Sequence, residues 1–251
     1  MTIGALIIGD ELLSGKRQDK HLHHLIDTLR SRGLQLGWAS YLADEPAQLC
    51  ATLQRTLASD DIVFSFGGIG ATPDDHTRQA AADAAGVALE RHPQALALIE
   101  AQFGDQAWPN RVRMADLPAG CELIPNPVNH IPGFSIGRHH FVPGFPSMAW
   151  PMVDWVLDQH YAALQQQTPT VELRLIVPQA REGNLIQTME TLVSQFPAIR
   201  FSSLPSFGDD HTPPHIEFGL TGQPHLARAA LDWLQQALLS QGYACEEDTP
   251  R

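Results

Sequence analysis

Ile62-Val63-Phe64-Ser65-Phe66-Gly67-Gly68-Ile69-Gly70-Ala71-Thr72-Pro73-Asp74-Asp75-His76-Thr77-Arg78 is the stretch that decides the fold. Its continuous apolar start, 62–66, reads as a strand buried on both faces. The chain then passes three glycines and enters an Ala-rich segment, 76–86, that reads as a helix. Glycines have no Cβ, so such a loop can approach a phosphate closely and expose a nest of N–H groups, which a helix N-terminus supplements. A Walker A loop is excluded because no Gly-Lys-Ser/Thr follows, and Pro73 stands where a dinucleotide fingerprint needs its third glycine. A tight turn and a phosphate contact are compatible readings of Gly67, Gly68 and Gly70.

Working outward, residues 3–8 (IGALII) read as another buried strand. A helix over 19–32 places Leu22, Leu25, Ile26 and Leu29 on one face and ends at Gly33. A strand over 34–42, a helix over 46–58, a helix over 93–103, short strands near 121–124 and 139–143 and a helix over roughly 147–165 complete the series. Strands alternating with amphipathic helices specify βαβ units, hence a three-layer α/β/α domain with a mostly parallel sheet. The polar run Gln165–Pro169 marks a boundary, giving a first domain over 1–166 and a small α+β module over 171–251. The module reads as strand 171–177, helix 181–195, strands 199–204 and 215–220, and helix 224–241.

Charge narrows the possible partners. The 251 residues include 16 Lys+Arg against 28 Asp+Glu, a net −12 with neutral histidines, and 43% hydrophobic residues, enough for a core. Residues 1–170 hold 11 basic and 18 acidic side chains and residues 171–251 hold 5 and 10. Neither part offers the cation cluster that nucleic acid or an anionic membrane requires. A small phosphorylated ligand remains compatible, since one local site suffices. Cys50, Cys121 and Cys245 are scattered and form no C-x-x-C, which fits a reducing compartment. No signal-peptide pattern or membrane-length apolar run occurs, so a soluble cytoplasmic protein is expected.

Gly9-Asp10-Glu11 directly follows the first strand, at the end where open α/β sheets bind ligands. If the strands at 3–8 and 62–66 are neighbours, Asp10 and Glu11 share a crevice with Asp74 and Asp75. Four carboxylates beside a phosphate nest call for a divalent cation between them. A purely structural reading stands beside this one. Thr72, Pro73 and Asp75 make a capping box, Asp74 favours the helix dipole, and Asp10 and Glu11 cap a turn. His76 follows the twin aspartates and can touch a ligand or move a proton. The other histidines read as surface or satisfied: His21 and His24 share a helix face, His139 and His140 point apart, and Pro213-Pro214 separates His211 from His215. Gly219-Leu220-Thr221-Gly222 has the spacing of a KH nucleic-acid loop, but it joins a strand to a helix in an acidic module and reads as a turn. The G-x-S-x-G and H-E-x-x-H motifs are absent, excluding the corresponding serine-hydrolase and zinc-protease readings.

At Ile8-Gly9-Asp10-Glu11-Leu12-Leu13-Ser14-Gly15, at Gly67 to Asp75 with Thr77-Arg78, and at Asn126-Pro127 with Pro132-Gly133, the chain resembles the molybdopterin-binding (MoaB/Mog-like) superfamily. Within it the chain is similar to the N-terminal part of competence/damage-inducible CinA proteins. Pro143-Gly144-Phe145-Pro146 is similar to that family's late proline-glycine loop, and the tail from 171 to its small KH-like module. The likeness spans roughly residues 1–165. It departs from the pattern at His21, Asn129-His130-Ile131 and Ser147. The chain ends at 251, so the C-terminal nicotinamide-mononucleotide deamidase domain and its activity are not expected.

The resemblance implies a divalent-metal-dependent pyrophosphatase (Mg, Mn or Co) acting on ADP-ribose or a related dinucleotide. Asp74 and Asp75 would be catalytic, and Asp10, Glu11, Asp74 and Asp75 the metal ligands. Gly9, Gly67, Gly68, Gly70, Thr72, Pro143 and Gly144 would contact the phosphorylated ligand. The alternatives are a non-catalytic protein binding molybdopterin or an adenylylated pterin, and a regulatory protein with a vestigial site. A homo-oligomer is a further implication of the resemblance.

Overall fold

Ile3–Ile8 (β1) and Ile62–Phe66 (β3) are buried at every position, as continuous apolar strands between two helical layers must be. The computed structural model describes residues 1–165, 170–208 and 213–248. It divides into two units, Met1–Gln165 and Gln166–Arg251.

In the first unit β1 is followed by the single turn α1 (Asp10–Leu13), α2 (His21–Ser31), β2 (Leu36–Leu42) and α3 (Pro46–Leu57). After β3 come α4 (Thr77–Ala85), β4 (Leu89–Arg91), α5 (Pro93–Phe103), β5 (Asp116–Pro118), β6 (Glu122–Ile124), β7 (Gly133–Ile136), β8 (His139–Val142) and α6 (Pro146–His160). The main sheet has the order β2-β1-β3-β8-β7-β6, parallel from β2 to β8 and antiparallel through β7 and β6. One face buries Leu6, Ile8 and Val63 against Leu49 and Leu53 of α3, Ala80 and Ala81 of α4 and Ile99 of α5. The other buries Ala5, Ile7 and Phe64 against Leu25 and Leu29 of α2 and Met152 and Val156 of α6. This is the expected three-layer α/β/α domain. Pairing β4–β5 and strand β7 were not expected; both lie in Pro- and Gly-bearing segments too short to show periodicity. No helix among the described residues is long and apolar enough to cross a membrane.

The second unit contains β9 (Val171–Pro178), α7 (Glu182–Gln195), β10 (Arg200–Ser206), β11 (His215–Gly222), α8 (Pro224–Ser240) and β12 (Glu246–Asp248). Its antiparallel sheet has the order β10-β11-β9-β12, and Leu185, Leu192, Leu231 and Leu234 pack with Leu175, Val177, Phe218 and Leu220. The resemblance implied a KH-like module; the connectivity observed is the ferredoxin-like split β-α-β arrangement. Gly219-Leu220-Thr221-Gly222, expected to be a turn, is instead the end of β11. Gly219 gives room to the neighbouring strand, since a Cβ there would lie 2.5 Å from Ser202 Oγ. His211 and positions 166–169 of the expected boundary fall outside the described residues.

His139 and His140 are both buried on β8. His140 Nδ1 is 2.8 Å from Ser135 Oγ and Nε2 is 2.7 Å from Tyr161 Oη, whereas His139 Nε2 has no partner among the described residues. Burial pushes His139 down to about 4, and burial reinforced by His160 and His139 pushes His140 down to about 3. Both are neutral in the fold and titrate near 6.5 when unfolded. The stability they contribute is therefore complete above pH 6.5 and falls as pH drops toward 4, by about 1.4 kcal/mol per pH unit for each. Urea unfolding at pH 7, 6, 5 and 4.5 is expected to show this decline, and His139→Leu to make it shallower. An unchanged slope in the variant would refute the assignment.

Candidate phosphate-binding cleft

The carboxyl ends of β1, β3 and β8 lie side by side, with Ile7 opposite Phe66 and Phe66 opposite Val142. Gly67 leaves β3 at φ 102° and donates its N–H to Val142 O at 3.0 Å. A Cβ at Gly67 would lie 2.5 Å from Ile8 O, and one at Gly144 would lie 3.5 Å from the Gly67 Cα. Gly68, at φ 69°, packs against the Thr77 side chain, and Thr77 N donates to Gly68 O at 3.0 Å. These approaches form the floor of a cleft of about 410 Å³. Gly9, Gly67, Gly68, Gly70, Thr72, Pro143 and Gly144 all line it, as do Glu11, Asp74 and Asp75. The amides of Gly68, Ile69, Gly70 and Ala71 donate to no acceptor among the described residues.

The carboxylates divide by role. Asp75 accepts from Thr72 N at 2.8 Å and from Thr72 Oγ1, and its Oδ2 lies so near Gly70 that a Cβ there would be 2.6 Å away. These are the contacts of the expected capping box, but α4 starts only at Thr77, so they shape a turn ahead of the helix. Asp74 is correspondingly outside the first helical turn. His76 is the N-cap residue and makes no side-chain cap bond. Asp74 is exposed.

Asp10 is not part of the cleft lining. Its N–H donates to Asp44 Oδ2 at 3.0 Å while Asp44 N donates to Asp10 Oδ1 at 3.2 Å, tying α1 to the end of β2. Asp44 does line the cleft. Burial pushes its carboxyl above the usual range, and the charges of Asp10, Glu11 and Asp74 add to that despite the Asp10 amide. Sequence reasoning passed over Asp44. The signal available was Ala43-Asp44-Glu45 directly after a strand parallel to β1. Glu45 caps α3 through Ala47 N and Gln48 N. The Glu11 carboxylate folds over Gly9, where a Cβ would be 2.8 Å from Oε2, and reaches Arg17 only at 4.0 Å. Among the described residues no three His, Cys, Asp or Glu side chains gather closely enough to cage a metal ion.

Arg78 was noted only as part of the motif, yet it anchors the loop. Its buried guanidinium donates through Nη2 to Gly70 O at 2.7 Å and through Nη1 to Arg113 O at 2.5 Å and Asp116 O at 2.8 Å. Burial, its largest influence, lowers its pKa. On the opposite rim Asn126 Nδ2 donates to Asn129 Oδ1 at 2.7 Å, and Ile131 N donates to the same oxygen at 3.1 Å. Asn126 and Asn129 line the cleft, but His130 and Ser147 do not.

Parallel strand ends and a glycine turn beside carboxylates define an α/β protein with a cleft at the carboxyl edge of its sheet. Residues 4–163 match the model of the probable molybdopterin binding domain, and the chain belongs to that family. A CinA-like protein of Anaeromyxobacter dehalogenans (strain 2CP-1 / ATCC BAA-258) is 34% identical over 181 residues, covering 69% of this chain and 44% of the relative. One from Desulforapulum autotrophicum is 33% identical over 216 residues, covering 80% and 50%. The chain thus spans about half the length of the curated relatives it matches. The crystal structure of CinA from Thermoplasma acidophilum, a protein described as of unknown function, superposes with a TM-score of 0.58 at 26% identity, covering 63% of this chain and 98% of that one.

Gly67→Ala combines positive φ with the contact to Ile8 O, whereas Gly15→Ala, at φ 72° with nothing within 4 Å of its Cβ, carries the backbone strain alone. Gly15→Ala is expected to cost about 1 kcal/mol and Gly67→Ala about 3 kcal/mol. Denaturant unfolding of both variants checks the difference; equal losses would contradict the close approach.

Proposed function

We propose that this cleft binds a diphosphate-bridged nucleotide, of the ADP-ribose or dinucleotide type, and hydrolyses its pyrophosphate bond with a divalent cation present. The observation that carries the reading is the run of unbonded amides from Gly68 to Ala71 beside Glu11, Asp44 and Asp74. These half-buried amides face the cleft, and a phosphate's non-bridging oxygens can replace water as their acceptors.

The donor set fits a hard cation. Mg²⁺-type ions take one or two carboxylates and complete their shell with phosphate oxygens and water, so no three-residue cage is needed. Glu11 and Asp74 would hold the ion; bound there it would neutralise phosphate charge and polarise phosphorus. The chain does the rest: the amides fix the diphosphate, and Asp75 with Thr72 maintains the turn that presents them. Asp44, in the same crevice, accepts a proton from the attacking water.

A second reading, binding of molybdopterin or an adenylylated pterin without turnover, is favoured by a different observation. Ile69, Met114, Ile131 and Met148 give the cleft an apolar wall suited to a flat heterocycle, and Asp75 is already engaged by Thr72. Purified protein is to be assayed with ADP-ribose, FAD and NAD across Mg²⁺, Mn²⁺ and Co²⁺, beside Asp44→Asn and Asp74→Asn. Turnover of at least one compound, lowered about 100-fold or more by Asp44→Asn, is expected. No turnover together with tight pterin retention would replace the first reading by the second.

A further inference from the structure

A second cleft, of about 430 Å³, adjoins the first at the start of α2. Both are lined by Ile8, Glu11, Arg17, Gly144 and Phe145, so one ligand can extend across them. Their electrostatics differ. The first sets four carboxylates against Arg17, whereas the second balances Glu11 and Asp19 with Arg17 and Lys20, so the negative excess of the first is absent there. The Asp19 carboxylate accepts from His21 N at 2.8 Å, Leu22 N at 3.0 Å and Tyr41 Oη at 2.8 Å and pairs with neither cation among the described residues. Arg17 has only the 4.0 Å approach of Glu11, and Lys20 forms no ion pair among the described residues.

The walls are aromatic. His21 stacks on Phe66 with ring centres 4.5 Å apart, and its Nε2–H donates to Gly144 O at 3.1 Å. That bond and the flanking Pro143 and Pro146 hold the loop that presents Phe145, which is 60% exposed at the junction of the clefts. An exposed ring on a stiff loop is a stacking platform for a heterocycle. His21 is buried and its Nδ1 has no partner among the described residues.

We propose that the second cleft is an anion-selecting subsite for the far half of a dinucleotide carrying a phosphate outside its diphosphate bridge. This rests on the reading of the first cleft as the diphosphate site. Arg17 and Lys20 meet the additional phosphate, and Phe145 stacks on the heterocycle.

NAD and NADP differ only by such a phosphate. The full chain is to be titrated with ADP, NAD and NADP in Mg²⁺, with initial-rate KM values standing in for any ligand that turns over. A roughly tenfold preference for NADP over NAD is expected. Lys20→Gln should bring the ratio toward one. Lys16→Gln, which removes the same charge from a residue outside the lining, should leave the ratio in place. Equal NAD and NADP affinities, or equal effects of the two variants, overturn the subsite while ADP binding leaves the first cleft standing. Failure of all three ligands to bind overturns the diphosphate reading and this subsite together.

Discussion

At Gly67 three strand ends close on one point. Its amide is bonded to Val142 O, its Cα lies against Ile8 O, and Gly144 approaches from the far side. The parallel register of β1, β3 and β8 brings these backbones level, but only a residue without a Cβ lets them meet. Every later feature of the cleft follows from that contact. The amides from Gly68 onward emerge over the sheet edge, Gly9 and Glu11 flank them on one side, and the Phe145 loop flanks them on the other. Arg78 then fixes the far end by holding Gly70 O from inside the protein.

The acidity of the chain is consistent with an anionic ligand once the donors are identified. Backbone amides present partial positive charge without adding a cation, and they do so at fixed positions. Around them the carboxylates have unequal roles. Asp75 is committed to Thr72, Asp10 exchanges hydrogen bonds with Asp44, and Asp74 stands exposed. Asp44 bears the cost of this concentration, partly buried and facing three like charges. A group in that position gains most from a cation or a proton.

Much of this was legible in the sequence where a local pattern is also the structural cause. β1 and β3 are continuous apolar runs because both faces are covered, and α2 and α3 show helical spacing because one face is buried. The glycine loop was legible because a strand leads into it and a helix follows. What escaped depends on partners distant in sequence. Asp44 meets Asp10 across 34 positions, and Arg78 reaches Arg113 and Asp116 across 35 and 38. The helix expected over 76–86 is α4, but the capping pattern of Thr72, Pro73 and Asp75 closes a separate turn ahead of it. Gly219 looked like punctuation, although its role is to admit Ser202 from the adjacent strand.

Recognition by backbone donors and recognition by side chains place different demands on the sequence. In the proposed reading the glycine turn needs only the absence of Cβ atoms and the Arg78 anchor, so it would hold a diphosphate whatever is attached at either end. Discrimination between attached groups must then come from the rims, where side chains project: Asn129 and Met148 on one side, His21 and Phe145 on the other. His21 and Asn129 fall on these rims. A change there can alter which ligand is held without disturbing how its phosphates are held, because His21 and Asn129 make their own hydrogen bonds to Gly144 O and Ile131 N rather than to the turn.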